Sequence, residues 1–188
     1  NTLALDRHNV FFQRDQANEF TDIFERGRLP QAPTVYVCAQ DRGTAVTPPG
    51  SGHERLLALV NAPALGEDNT ITSEELDRCE TQAFKLLNRC GLPLSPHGPT
   101  VQRTTPADFH RLFPATGGAL YGPASQGWRA SFSARPDGRT ALPGLYLAGG
   151  SVHPGPGLPM AALSGQLAAE QICTALRLTS PSAPAPMP

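Results

Sequence analysis

The sequence predicts an α/β fold, a mixed sheet with packed helices, on three observations. Apolar runs of strand type recur at Val10-Phe11-Phe12, Thr34–Ala39, Arg55–Ala62 and Leu145–Ala148. Between them, Leu76, Cys79, Ala83, Leu86, Leu87 and Cys90 repeat at helical spacing, so a helix must cover a sheet face. The last apolar run passes through Gly149-Gly150 into an Ala/Leu-rich helix, a strand–glycine turn–helix unit.

Composition narrows the classes of function. With 15 Lys+Arg against 16 Asp+Glu and no basic stripe, nothing supports nucleic-acid binding. No apolar run approaches the roughly 20 residues of a membrane-spanning helix. Cys38, Cys79, Cys90 and Cys173 are scattered, without a C-x-x-C pair or metal-ligand spacing, and read as core thiols of a cytoplasmic protein. The chain opens on Asn1 rather than methionine, and at 188 residues it is expected to be one domain or a piece of a longer one.

Taken in order, His8 stands at the head of the first strand, where a strand-end hydrogen bond is expected. Asp15 is placed to cap a helix whose Phe20, Ile23 and Phe24 share a face, with Gly27 and Pro30 stopping it. Thr34–Ala39 and Arg55–Ala62 read as neighbouring antiparallel strands across a Gly/Pro-rich loop containing Asp41-Arg42-Gly43, Pro48-Pro49-Gly50 and His53. Thr72 and Glu75 form a capping box ahead of the amphipathic helix, and Gly91 ends it. Cys79 and Cys90, about three turns apart, are expected on its buried face.

Val101–Thr104 is a further strand candidate. Thr105-Pro106 starts a short helix with Phe109, Leu112 and Phe113 on its apolar side and His110 outward. Thr116–Gly122 is a second glycine-rich stretch, with Tyr121, Trp128 and Phe132 supplying aromatic surface to a core or a pocket. Pro159 occupies a first-turn helical position. Ala161, Gly165 and Ala169 make a small-residue stripe suited to close approach. Strand, glycine turn and helix start together aim backbone N–H groups and a positive dipole end at an anion or electron-rich ring, although the same string also suits a plain turn between core elements. The tail after Leu178 is proline-rich and expected to be disordered.

The string AGGSVHPGPGLPMAALSG, with HNVFF at His8–Phe12, TVYVCAQDRG at Thr34–Gly43, TTPADFHRLFPATGGALYG at Thr104–Gly122 and LPGLYLAGG at Leu142–Gly150, resembles the carboxy-terminal part of the phytoene desaturase-like FAD oxidoreductases of the amine-oxidase superfamily. Within these it looks most like the branch acting on hydroxylated or methoxylated acyclic carotenoids, the hydroxyneurosporene (methoxyneurosporene) desaturases. The resemblance implies a two-domain fold of which residues 1–140 are part of the substrate-binding region and 141–178 the last strand and helix of the FAD-binding domain, with 179–188 a tail. It implies FAD as cofactor, a carotenoid substrate and a bacterial cytoplasmic protein lying peripherally on a membrane surface. Gly149, Gly150, Ser151, His153, Gly157, Pro159, Met160 and Ala161 are the expected cofactor-binding residues, with Met160 and Ala161 donating N–H groups to the ring.

Many relatives carry an acidic residue where this chain has Gly150. His153 suits either a proton shuttle or a structural role, and no residue presents itself as the catalytic acid or base. A strand followed by G-x-G-x-x-G is not found, so the amino-terminal Rossmann half of the site is expected to be missing and the 188 residues to bind FAD poorly alone. The competing class is a non-enzymatic escort protein of related fold, carrying a lipid or prenyl group as Rab GDP-dissociation inhibitors do.

Overall fold

A computed structural model describes residues 5–42, 54–64, 71–121 and 137–176. It comprises two compact units, Asn1–Ala119 and Leu120–Pro188.

The first unit is built on a three-stranded antiparallel sheet in the order β1 (His8–Phe11), β2 (Val35–Ala39), β3 (Leu56–Val60). The register sets Val10 beside Tyr36 and Tyr36 beside Leu59, while Val35 faces Val60. Every ladder is antiparallel among the described residues, where a mixed sheet was expected. Side chains alternate across the pleat, so the sheet has two unlike faces. Val35 and Val37 point inward and meet Ala83, Leu86 and Leu87 of helix α2 (Ser73–Arg89), with Leu92 closing the cluster.

Local chemistry explains why α2 forms where it does. Thr72 Oγ1 accepts from the Glu75 N–H at 3.3 Å, and the Glu75 carboxylate accepts from the Thr72 N–H at 2.9 Å. Hydrogen bonds donated by the Thr72 N–H and hydroxyl hold the Glu75 carboxyl below its ordinary range. Gly91, at φ +87°, takes the left-handed conformation that ends the helix. Cys79 lies on the buried face as expected, but Cys90 is exposed: it has become the C-cap, where the chain leaves the helix.

Between β1 and β2, helix α1 (Gln16–Phe20), capped by Asp15, runs on into a π turn at Thr21–Glu25. This segment turns two acids inward, Glu19 and Asp22, each 3% exposed. Asp22 accepts from Arg26, Arg28 and the Gln31 N–H. Burial pushes its carboxyl up, but the bonds from Arg26, Gln31 and Arg28 outweigh that and leave it below the usual range. Glu19 accepts from the Thr34 N–H and the Asn61 side chain, at 3.0 and 3.2 Å. The chain entering β2 is therefore tied down by carboxylates as well as by the packing of Leu29, Pro30 and Pro33. Phe20 and Phe24 stack outward at 6.1 Å.

Asp41 and Arg42 do more than turn the chain. Asp41 pairs with Arg55 and Arg42 with Glu54, both at 2.5 Å, clamping the two ends of the loop between β2 and β3. Pro48-Pro49-Gly50 and His53 lie outside the described residues. Val101–Thr104 is not a strand; it leads directly into α3 (Pro106–Leu112), capped by a Thr105/Asp108 box. The apolar side of α3 is not buried, since Leu112 and Phe113 are exposed. At Gly118, with φ +77°, a Cβ would overlap the Pro106 carbonyl. The glycine there makes room for the start of α3 rather than for a ligand.

In the second unit the described residues form loops and one long helix, α4 (Leu158–Ala175). Leu145–Ala148 does not form the expected strand. It makes one antiparallel bridge, Arg139 to Tyr146, because no described strand lies beside it to pair with. Gly138, at φ +95°, lets the chain pass close to Leu147, whose N–H donates to the Gly138 carbonyl at 2.7 Å. Val152, Ser164 and Ala168 are buried, whereas Leu142, Leu145, Leu147 and Leu176 are exposed. Trp128, Phe132 and the tail after Leu178 lie outside the described residues.

Candidate functional site

The eight expected cofactor-binding residues occupy one loop and the first turn of α4. The loop is closed at its base by two contacts. Gly149 adopts φ +130°, and its N–H donates to Ser164 Oγ at 3.1 Å, tying the glycine turn to the second turn of the helix. A Cβ placed on Gly150 would lie 3.5 Å from Pro156 Cα, so the outgoing and returning chains are in van der Waals reach there. Ser151 and His153 stand exposed, and the His153–Pro154 peptide bond is cis. His153 thus has a solvated loop position rather than a core one.

Gly157, at φ +109°, is the N-cap of α4, and Pro159 lies in the first turn, where its missing N–H costs nothing. Leu158 is 89% exposed and Met160 also reaches solvent. The expected pair of donors has to be revised. The Ala161 N–H already donates to the Gly157 carbonyl at 2.8 Å, the first bond of the helix. The N–H groups that α4 leaves unused by its own ladder are those before Ala161, at Leu158 and Met160. The small-residue stripe is also displaced from the packing face. Ser164 and Ala168 turn inward, while nothing lies within 4 Å of a Cβ built on Gly165.

A fit for a flavin can be judged from this geometry. A Cβ on Gly149 or on Gly157 would meet no atom within 4 Å, so both glycines border open space beside a helix start. A long helix presents its positive end there, and no acidic side chain occupies its first turn. Backbone N–H groups, glycine clearance and a solvent-facing loop suit a large planar group with an anionic tail.

Two features escaped sequence reasoning. Ser164 looked like one small residue among many in an Ala/Leu helix; its only signal was a hydroxyl at a position that the helix turns inward. The second lies in the first unit, where His8 Nδ1 and the Tyr36 hydroxyl are hydrogen-bonded at 2.7 Å and their rings stack at 6.1 Å. Partial burial and the neighbouring Cys38 thiol raise the Tyr36 hydroxyl above its ordinary value, so the phenol stays protonated.

Comparison with known proteins gives these sites a context. Residues 9–173 match the family described as flavin containing amine oxidoreductase. The chain is similar to the hydroxyneurosporene desaturase of Rubrivivax gelatinosus, 56% identical over 95% of this chain and 34% of that protein. It is 43% identical to the hydroxyneurosporene desaturase of Cereibacter sphaeroides, over 89% of the chain and 32% of that protein. A 4,4'-diapolycopene oxygenase of Methylomonas sp is 31% identical over 92% of the chain and 35% of that protein. The chain thus spans about a third of the length of these relatives. No helix among the described residues is long and apolar enough to cross a membrane. With a match that runs through both compact units, the chain belongs to the flavin-containing amine oxidoreductase family.

Proposed function

We propose that this chain is the carboxy-terminal portion of an FAD-dependent carotenoid desaturase, which dehydrogenates an acyclic hydroxy- or methoxy-carotenoid in carotenoid biosynthesis. The observation that carries the reading is the likeness to a hydroxyneurosporene desaturase across nearly the whole chain. In this reading residues 1–140 are part of the substrate-binding region and 141–178 complete the FAD-binding domain. The Rossmann half, with its own pyrophosphate-binding turn, is supplied by the amino-terminal part of the same protein, as the one-third coverage of the relatives supports. The whole protein works at a membrane surface, where a carotenoid is accessible.

When bound, FAD supplies the electron-accepting chemistry that no side chain offers. This chain's share is to hold and polarise it. Gly149, Gly150 and Ser151 would hold the ribityl and pyrophosphate part. His153 and Gly157 line the loop beside it, and Pro159 fixes the first turn. The N–H groups of Leu158 and Met160, at the positive end of α4, would hold the flavin ring and favour negative charge on it. Ala161 contributes small size rather than a donor, since its N–H is committed to the helix.

The test is expression of the full-length protein containing this chain, with flavin content and carotenoid absorption as readouts. The proposal expects bound FAD and a red shift of an acyclic hydroxycarotenoid's absorption as its conjugation lengthens. A folded full-length protein without flavin that retains a prenyl or lipid ligand would overturn it in favour of an escort protein.

A further inference from the structure

The two faces of the first unit's sheet differ in kind, and only one is accounted for by the fold. The inward face holds Val35 and Val37 against α2. The outward face carries the row Val10–Tyr36–Leu59 and the row His8–Cys38–Leu57. Val10, Leu57 and Leu59 each leave more than two-fifths of their surface exposed, and Phe12 extends the same side beyond β1. Three strands span about 10 Å between their outer axes, the width for one extended apolar chain. The accessible hydrogen-bonding device on this strip is the His8–Tyr36 pair, set diagonally across β1 and β2, with the Cys38 thiol buried beside Tyr36. The imidazole and the protonated phenol can each give or take a hydrogen bond, and both remain in reach of a ligand.

An apolar strip with a single polar pair matches a long hydrocarbon bearing one oxygen function. Resting on the desaturase reading, we infer that His8 and Tyr36 recognise the hydroxyl or methoxy oxygen of the carotenoid, while Val10, Leu57 and Leu59 carry the adjoining hydrocarbon. The pair is a specificity device: it selects the oxygenated end group and sets how the substrate enters, without touching the bond that is oxidised. An incoming oxygen either inserts into the existing His8–Tyr36 bond or accepts from whichever partner has a free proton. A carotenoid lacking the oxygen leaves the pair bonded to itself and gains nothing from it.

The experiment uses the full-length, FAD-loaded protein with two acyclic carotenoids that differ only in a terminal hydroxyl. For wild type, kcat/KM favours the hydroxylated substrate. Tyr36→Phe and His8→Phe are each expected to lower that preference about threefold to tenfold, the weight of one net hydrogen bond. The loss appears in KM for the hydroxylated substrate, with the unoxygenated one unchanged. His8→Gln, which keeps a donor and an acceptor, restores most of the preference. Flavin content and melting temperature establish that each variant is folded.

An unchanged preference in both Phe variants, or an equal loss on both substrates, overturns the inference. Equal loss is the result expected if another protein surface or a second copy of this chain covers the strip. Wild-type protein that desaturates neither carotenoid overturns the desaturase reading itself, and this inference with it.

Discussion

The Gly149–Ser164 hydrogen bond offers a direct test of whether the glycine turn is preorganised for flavin. Ser164 is 2% exposed and its Oγ accepts from the Gly149 N–H at 3.1 Å. Ser164→Ala removes that acceptor and leaves a part-buried amide unpaired, a loss of about 1–3 kcal/mol. Nothing crowds Gly149, so the hydrogen bond rather than packing holds its φ at +130°. If the cost falls wholly on the binding-competent form of the turn, apparent FAD affinity drops about 5- to 140-fold, at about 1.4 kcal/mol per factor of ten. The assay is FAD titration of full-length apoprotein, followed by flavin fluorescence, with apoprotein melting measured alongside. Thr174→Ala is the control, because its hydroxyl also lies on α4 but bonds only the Glu170 carbonyl on the exposed side. Should Ser164→Ala leave the dissociation constant within twofold of wild type, the turn is a structural joint and not part of the flavin site.

Other expected outcomes follow from the first unit. The folded-state pKa of Asp22 lies below its ordinary value, so the carboxylate's stabilisation is present above about pH 4 and is lost as pH falls through the lowered value; Asp22→Asn lowers the melting temperature at pH 7 and flattens its decline in acid. Leu87→Ala, at a fully buried site, costs about 3–5 kcal/mol, read as at least hundredfold faster hydrogen exchange along β2; exchange within tenfold of wild type would mean that α2 does not hold the sheet. Maleimide labels Cys90 in the folded chain far faster than Cys79, whose thiol burial pushes up to about 11, and equal labelling would show that α2 is not docked.

What was legible in the sequence was mostly local. The Thr72/Glu75 box, the buried spacing of α2 and the Gly91 stop all depend on residues within a few positions of one another. Antiparallel pairing of β2 with β3 was also readable from two apolar runs and a loop between them. Leu145–Ala148 has strand composition yet only one bridge, because a strand exists through a neighbour and composition cannot name that neighbour. Ala161 was misread as a donor for a similar reason: which N–H groups remain unused depends on where the helix begins, here one residue before Pro159. The burial of Glu19 and Asp22 had no sequence signal; Glu19's partners reach as far as Thr34 and Asn61, distances that no periodicity reports. His8 and Tyr36 are 28 residues apart and became a pair only once β1 and β2 took their register.

The unlike faces of the sheet bear on how such a protein diversifies. Residues that secure the fold, Val35, Val37 and Leu87 among them, look one way; Tyr36 and Leu59 look the other. Substitutions on the outward side can be sampled with little loss of stability, because those side chains have few neighbours to disappoint. Alternating positions of one strand thereby become separate evolutionary traits, one purged by misfolding and the other open to drift and selection. A family whose members are named for different carotenoids, some desaturases and some oxygenases, needs this kind of independence, so that new preferences arise by single changes on a scaffold that still folds.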